Sequence, residues 1–152
     1  MTRISFFKAS RRLLSDGGHL AADSRADRSL NAAHLHGLSA ECGLKYLLLL
    51  CGALQRDGTT GDLTGRRPHV DRIVDSSGLA TEYQTLVSGH THSRYFASLS
   101  GLSSLRSWKP DFRYFDDVHP DYPKADEATW VNASHEIQAA LDAALLDGQP
   151  IY

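Results

Sequence analysis

The residues whose chemistry most clearly suggests a ligand are arginines, because their guanidinium groups neutralise phosphate. One basic group lies near the N-terminus, and a second follows the central apolar segment. If the fold brings the two groups together, they predict a footprint for a phosphate-bearing ligand such as RNA. If it does not, a surface for an acidic protein partner is the equal alternative. The two groups are Arg3, Lys8, Arg11 and Arg12, then Arg56, Arg66, Arg67 and Arg72.

The charge of the chain is distributed unevenly, although it sums to only -2. Up to Arg72 there are eleven Lys and Arg against seven Asp and Glu, a net charge of +4. Beyond Arg72 there are five against eleven, a net charge of -6. A phosphate-bearing partner would prefer the first half, although solvated helix faces of mixed sign also explain blocks this weak.

Glu41 and Lys45 lie four positions apart, in the order that favours an ion pair on a helix. His34 and Leu38 continue the same heptad-like stripe. Three interpretations stay open. The pair is a surface ion pair contributing about 0.3 kcal/mol, it is catalytic, or His34, Glu41 and Lys45 form a polar seam, either structural or at a dimer interface.

The histidines offer no convincing metal site. His34 and His36 are two residues apart, as are His90 and His92, and on a helix that spacing points the rings about 200° apart. Only in an irregular segment could His90 and His92 bind one ion together. The sequence contains no His-Glu-x-x-His, P-loop, Gly-x-Gly-x-x-Gly or Gly-x-Ser-x-Gly motif. It therefore predicts neither a metal ion nor a cofactor.

The stretch from Asn31 to Cys51 predicts the central helix of a bundle, because it stays apolar longest without a breaker. Its C-terminal half is apolar on nearly every side, so other elements must cover it all round. Cys42 and Cys51 would lie roughly 13 Å apart along this helix, too far for a disulfide, and are predicted to be reduced core residues. A stripe that allows close approach of another backbone contains Ala33, Gly37, Ala40 and Leu44.

A first helix is predicted from about Ser5 to about Asp23. Gly17 and Gly18 weaken it by about 1 kcal/mol each, so packing must hold it or it breaks there. Asp27 or Ser29 is the expected N-cap of the central helix. The short connection predicts that the two helices are antiparallel neighbours.

Beyond the central helix, residues 55–67 have the composition of a long, flexible surface loop. Pro68 suits the first turn of a third helix, and the apolar spacing up to Leu102 fits a broken helix or two shorter ones. Residues 107–123 are rich in aromatics and proline, which predicts an irregular segment that packs against the bundle.

A last amphipathic helix is predicted from about Pro123 to about Leu146, ended by Gly148. No stretch shows the convincing alternation of a strand. The fold class predicted for residues 1–152 is therefore all-α, a single domain built as a four- to five-helix bundle.

The N-terminal residues lack the apolar core of a secretory signal, and the run from Tyr46 to Leu54 is shorter than the ~20 residues of a membrane span. The expectation is a cytoplasmic protein without a membrane partner.

Several stretches of the chain resemble the HEPN superfamily of small helical domains. They are RRLL, HLHGLSAECGLKYLL, RRPHVDRIV and WKPDFRY, in that order. The best-matched pieces are A-E-C-x-L-K, which includes Glu41 and Lys45, and W-x-P-D-x-R-Y from Trp108 to Tyr114. The resemblance implies an up-and-down bundle, frequent homodimerisation and a prokaryotic role near RNA or nucleotide chemistry, often in toxin–antitoxin or anti-phage systems.

Catalytic members of that superfamily are metal-independent ribonucleases with an Arg-x4-6-His motif near the last helix, paired across a dimer. The resemblance implies that His119 removes the ribose 2′-OH proton while Arg113 neutralises charge on the phosphate. Two other pairs, Arg12 with His19 and Arg28 with His34, also match the spacing, so only position favours this one.

A structural interpretation of this segment remains open beside the catalytic one. In that interpretation Arg113 pairs with Asp111 or Asp116, and the aromatic residues cover one end of the bundle.

Two functions follow from these observations. The first is an effector that binds or cleaves RNA. The second is a non-catalytic binding module that partners a nucleotidyltransferase or another effector encoded nearby.

Overall fold

The computed structural model describes residues 3–23, 29–115 and 118–151. Three long helices carry the fold, and a chain of short elements connects the second to the third. In chain order the elements are α1 (Phe6–Ala22), α2 (Ser29–Leu50), α3 (Val70–Ile73), β1 (Val74–Asp75), β2 (Gly78–Leu79), α4 (Thr81–Val87), α5 (Arg94–Ala97) and α6 (Glu127–Leu146). Short 3-10 helices lie at Thr91–Ser93, Leu102–Ser107, Pro110–Tyr114 and Lys124–Asp126.

The central element is α2, as its apolar sequence predicts. Leu44, Leu47 and Leu48 are completely buried. Their burial confirms that other elements cover the C-terminal half of the helix on nearly every side. Asp27, one of the two predicted N-caps, lies outside the described residues, and Ser29 is the first residue of α2.

α1 runs antiparallel to α2. This confirms the prediction, made from their short connection, that the first two helices are antiparallel neighbours. Ser10 of α1 exchanges two hydrogen bonds with Ser39 of α2, each from a side-chain hydroxyl to the other residue's carbonyl at 2.8 Å. The helix continues through its two glycines because Gly17 is packed. A Cβ at Gly17 would lie 3.0 Å from the His36 ring and 3.2 Å from the carbonyl oxygen of Ala32.

α6 packs against α2 in the parallel direction. His36 of α2 contacts Ser134 of α6, and further along both helices Gly43 lies against Ile137 and Leu141. A parallel pair needs a long return connection, and residues 51–126 provide it. The end of α6 is capped as predicted, because Gly148 has a positive φ of 74° and donates its amide to a carbonyl of the last turn.

The connection from α2 to α6 is less helical than predicted. The third helix expected from Pro68 is only four residues long, because a hairpin replaces its continuation. Asp75 accepts a hydrogen bond from the amide of Ser77, and Gly78 has φ of 120°, so the chain reverses there. The strands have two residues each and are too short to show alternation. Of the two alternatives left open further on, a broken helix or two shorter ones, the structure has two shorter helices, α4 and α5.

The aromatic segment before α6 packs as predicted. Trp108 is completely buried, and Phe112 and Tyr122 are nearly so. The Phe112 ring stacks on Trp130 of α6 with 5.7 Å between centroids. The all-α helical bundle is therefore confirmed as the fold class. Among the described helices, none combines the length and apolar character needed to cross a membrane.

Candidate functional site

Three arginines of the second basic group line one surface cavity. Arg66, Arg67 and Arg72 surround a space of about 290 Å³, which Pro68, Glu82 and Tyr83 complete. Arginine side chains that line a space of this size can bind a phosphate group through charge-assisted hydrogen bonds. Of the residues predicted to bind phosphate, Arg66, Arg67 and Arg72 therefore line one cavity.

Carboxylates of neighbouring elements hold two of these arginines. Arg66 pairs with Glu82 at 2.7 Å, and Arg67 pairs with Asp62 at 2.7 Å. The hydrogen bond that Arg66 donates to Glu82 raises the pKa of Arg66 above its already high normal value. Arg72 has no carboxylate partner within the part of the chain that is described. The site therefore combines two oriented guanidinium groups with one that is available to an anion.

The preceding loop positions the first two arginines. Asp57 accepts hydrogen bonds from the amides of Thr59 and Thr60, which closes the turn of residues 55–67. Arg3 then donates to the carbonyl oxygens of Thr59 and Gly58 and ties the turn to the N-terminal segment. These bonds give the loop a defined path, and its flexibility stays a prediction.

The other members of the two basic groups are not among the residues that line this cavity; they are Arg3, Lys8, Arg11, Arg12 and Arg56. Arg11 pairs with Asp142 of α6 at 2.7 Å, on a half-exposed surface. Arg12 is exposed, and its charge acts on the thiol of Cys42. The basic groups therefore do not merge at the arginine cavity.

A buried polar network lies beside the arginine cavity. The Glu41 side chain is only 7% exposed and accepts a hydrogen bond from Lys45 Nζ at 2.6 Å. It also accepts from the Val70 amide at 3.1 Å and contacts His69 Nδ1 at 3.2 Å. The predicted pair of Glu41 and Lys45 is therefore not a surface ion pair, because other elements of the same chain bury it. The hydrogen bond that the Val70 amide donates to Glu41 attaches α3 to α2.

His34, the third member of the predicted seam, is buried in an aromatic contact. Its ring stacks on Trp108 with 5.3 Å between centroids. Gly37 makes room for the indole, because a Cβ there would overlap the Trp108 ring. His34 Nδ1 and Trp108 Nε1 are buried and have no hydrogen-bond partner among the described residues. Burial first, and the charge of Arg113 second, lower the pKa of His34.

Arg113 and His119 occupy separate contacts. The Arg113 guanidinium lies over the ring of Tyr114 at 4.7 Å. The His119 ring stacks on Phe115 at 4.0 Å, and its Nδ1 accepts the amide of Asp121 at 3.2 Å. No hydrogen bond or ring contact joins the two residues in the described ranges.

The structural interpretation of this segment is met only in part. Arg113 forms no ion pair with Asp111 among the described residues, while Asp116 lies outside them. The aromatic residues do cover the bundle.

Burial makes both cysteine thiols poor nucleophiles, because it disfavours the thiolate. Both are free, and burial raises the pKa of Cys42 and of Cys51 to about 11. No group of three or more His, Cys, Asp or Glu side chains suited to a metal ion occurs within residues 3–23, 29–115 and 118–151.

Comparison with protein-family models, curated proteins and solved structures finds no match for this chain.

Sequence reasoning missed His69. It is 28 positions from Glu41, and no spacing rule connects residues so far apart. The available signal was its place in Arg-Arg-Pro-His-Val, two positions after the second of two arginines already singled out.

Proposed function

We propose that this chain is a HEPN-like cytoplasmic effector of a prokaryote that acts on RNA and binds RNA phosphates at the arginine cavity. The observation that carries the proposal is the convergence of Arg66, Arg67 and Arg72 on one space of about 290 Å³. Phosphate contacts supply most of the sequence-independent affinity for nucleic acid, and arginine is well suited to them. The net charge of +4 in the first half of the chain favours the same ligand.

RNA binding is tested with a fluorescent single-stranded oligonucleotide and anisotropy. The variant Arg66→Ala/Arg67→Ala/Arg72→Ala should weaken binding at least tenfold and flatten the dependence of affinity on salt, because it removes up to three phosphate contacts. The matched control is Arg106→Ala/Lys109→Ala/Lys124→Ala, which removes the same charge from exposed positions elsewhere. Equal losses in both variants would contradict a specific site.

Cleavage of the bound RNA is the catalytic part of the proposal. The HEPN resemblance assigns it to Arg113 and His119, with two copies of the chain forming a homodimer. The test uses purified protein, RNA and a chelator, and it analyses the ends of the fragments. His119→Ala should abolish fragments with 2′,3′-cyclic phosphate ends, and unchanged cleavage by that variant would remove the assignment.

A non-catalytic module that binds a partner protein is the second candidate. The contacts of His119 favour it, because an Nδ1 atom that accepts an amide leaves the proton of the neutral ring on Nε2. That tautomer cannot accept a proton at Nε2. This candidate predicts no nuclease activity and a stoichiometric complex with a protein encoded beside this chain, such as a nucleotidyltransferase, when both are expressed together.

A further inference from the structure

We infer that the hydroxyl of Tyr83 binds the ribose 2′-OH of a nucleic acid held at the arginine cavity, and so makes this site selective for RNA over DNA. The inference rests on the proposed function and deepens it, because it names the group that recognises ribose at the same site. It follows from the partners of the buried tyrosines, from the position of Tyr83 in the cavity and from the charges beside its ring.

Tyr83 differs from the other buried tyrosines because its hydroxyl makes no hydrogen bond with the described residues. The residue is only 3% exposed, and a tyrosine hydroxyl that is buried usually has a partner. Its donor and acceptor therefore stay available to a ligand. The other three hydroxyls donate within the chain, from Tyr46 to the carbonyl oxygen of Pro150 at 3.3 Å, from Tyr95 to Asp147 at 2.7 Å and from Tyr122 to Glu127 at 2.8 Å.

The hydroxyl of Tyr83 is accessible from the arginine cavity. Tyr83 lines this cavity together with Arg66 and Arg72. Three polar side-chain atoms of the described ranges are completely enclosed and have no partner, and the Tyr83 hydroxyl is not one of them. An unpaired hydroxyl that is not enclosed retains accessible surface, and the cavity is the surface that Tyr83 lines.

The hairpin positions Tyr83 relative to the arginines. β1 and β2 connect α3, which contains Arg72, to α4, which contains Tyr83. The amide of Ala80 donates to the carbonyl oxygen of Ile73 at 2.8 Å, so the start of α4 lies against the end of α3. The amide of Tyr83 in turn donates to the carbonyl oxygen of Ala80 at 2.9 Å. These bonds hold the tyrosine and the arginine on adjoining elements.

The charges beside the ring favour a neutral hydroxyl of the ligand over a phosphate oxygen. Burial first, and the charge of Glu82 second, raise the pKa of Tyr83, while the charge of Arg66 lowers it. The phenol therefore stays protonated at neutral pH and can donate a hydrogen bond. The Glu82 carboxylate repels a phosphate oxygen at this position but accepts a hydrogen bond from a neutral hydroxyl.

The ribose 2′-OH is the neutral hydroxyl nearest to a backbone phosphate of RNA, because its carbon adjoins the carbon that bears the 3′ phosphate. It is both a donor and an acceptor, and DNA lacks it. A site that pairs with a ligand hydroxyl disfavours the analogue without it, since the group of the protein then stays unpaired. The cavity should therefore bind RNA more tightly than DNA with the same bases.

The central experiment measures the affinities of the wild-type protein and of Tyr83→Phe for a single-stranded RNA and for its DNA analogue, with deoxyuridine in place of uridine. Fluorescence anisotropy at one salt concentration gives all four values. The wild-type protein should prefer RNA, a comparison that needs no substitution. Tyr83→Phe should weaken RNA binding about twofold to tenfold, the value of one neutral hydrogen bond, and leave DNA binding unchanged.

The matched control is Tyr95→Phe. It removes a buried hydroxyl that already has a partner in the chain, Asp147, and should keep the wild-type preference for RNA. A preference that is lost in Tyr95→Phe and kept in Tyr83→Phe would overturn the inference.

A second experiment tests whether the hydroxyl acts at the arginine cavity. In the variant Arg66→Ala/Arg67→Ala/Arg72→Ala, the additional change Tyr83→Phe should cause no further loss of RNA affinity, because RNA is no longer held beside the hydroxyl. An undiminished effect of Tyr83→Phe in that variant would contradict the inference.

The two proposals fail in different ways. Equal affinity of the wild-type protein for RNA and DNA, or equal losses for both in Tyr83→Phe, removes the inference and keeps the cavity as a phosphate site. Absence of RNA binding by the wild-type protein removes both.

Discussion

The two faces of α2 bury polar groups in different ways. On the face toward α1 and α6, polar groups are matched in neutral pairs: Ser39 with Ser10, and His36 with Ser134. On the face toward α3 and the aromatic segment, the helix buries the ion pair of Glu41 and Lys45. The same face contains His34, whose Nδ1 has no partner among the described residues.

The two faces therefore differ in how strictly each polar group depends on its partner. Neutral, satisfied pairs join long helices at low cost, whereas a buried ion pair gains little stability over apolar residues. Removal of one partner from the Glu41 network leaves a buried charge uncompensated, whereas the neutral pairs contain no charge. Three predictions test this comparison, starting with the largest expected effect.

Removing Glu41 should cause the largest loss of stability. Glu41→Ala leaves the Lys45 ammonium buried without its partner, and breaking such a pair costs about 3–5 kcal/mol in the free energy of unfolding. Urea denaturation followed by circular dichroism measures the loss. The double variant Glu41→Met/Lys45→Met should recover most of it, because no charge is then buried.

The control for this prediction is Asp142→Ala. It breaks the half-exposed pair with Arg11 and should change stability by less than about 1 kcal/mol. Equal losses in Glu41→Ala and Asp142→Ala would contradict the contrast between a buried and a surface ion pair.

Gly37→Ala should cost about 1–3 kcal/mol, because the new Cβ would overlap the indole of Trp108 and force the aromatic segment outward. The matched control is Gly18→Ala in α1, where a Cβ meets no atom within 4 Å. That change should instead stabilise the protein by about 0.5–1 kcal/mol, because alanine favours the helix. Thermal unfolding of both variants measures the two effects, and a destabilised Gly18→Ala would contradict the packing account.

Acid should destabilise the protein by less than either substitution, because each face of α2 buries one histidine. Burial lowers the pKa of His34 and of His36 below the ordinary 6.5, so the unfolded chain binds more protons than the folded one. The stability is therefore fully present above pH 6.5 and is lost as pH falls toward the folded-state pKa values. Urea midpoints at pH 7.5, 6.5 and 5.5 should fall in that order.

Arg113→Gln sharpens this prediction. The Arg113 charge is the second cause that lowers the pKa of His34, so its removal should make the loss in acid shallower. An unchanged slope would show that Arg113 does not act on this face.

Much of the fold could be predicted because its signals are local. The leucines of α2 indicate complete burial, Gly148 ends α6, and the described part of residues 107–123 packs without forming an α-helix. Other features depend on contacts between distant residues. The parallel packing of α6 on α2, and the insertion of Trp108 at Gly37, have no sequence pattern of their own.

The candidate site also has a part with local sequence signals and a part that depends on contacts between distant residues. Arg66 and Arg67 stand out in the sequence as an adjacent pair. Their position in one cavity with Arg72 depends on the turn that follows Pro68. The contact of His69 with Glu41 could not be predicted, because it exists only when α3 docks on α2. The burial of Lys45 could not be predicted either, because its spacing from Glu41 fits a surface ion pair equally well.

Photo-crosslinking tests the central claim most directly. A single-stranded RNA containing 4-thiouridine is irradiated with the wild-type protein, and the attached peptides are identified by mass spectrometry. RNA bound at the arginine cavity should crosslink within residues 65–83, and these crosslinks should be lost in the variant Arg66→Ala/Arg67→Ala/Arg72→Ala. Crosslinks confined to α1 or to residues around Tyr114, unchanged in that variant, would contradict it.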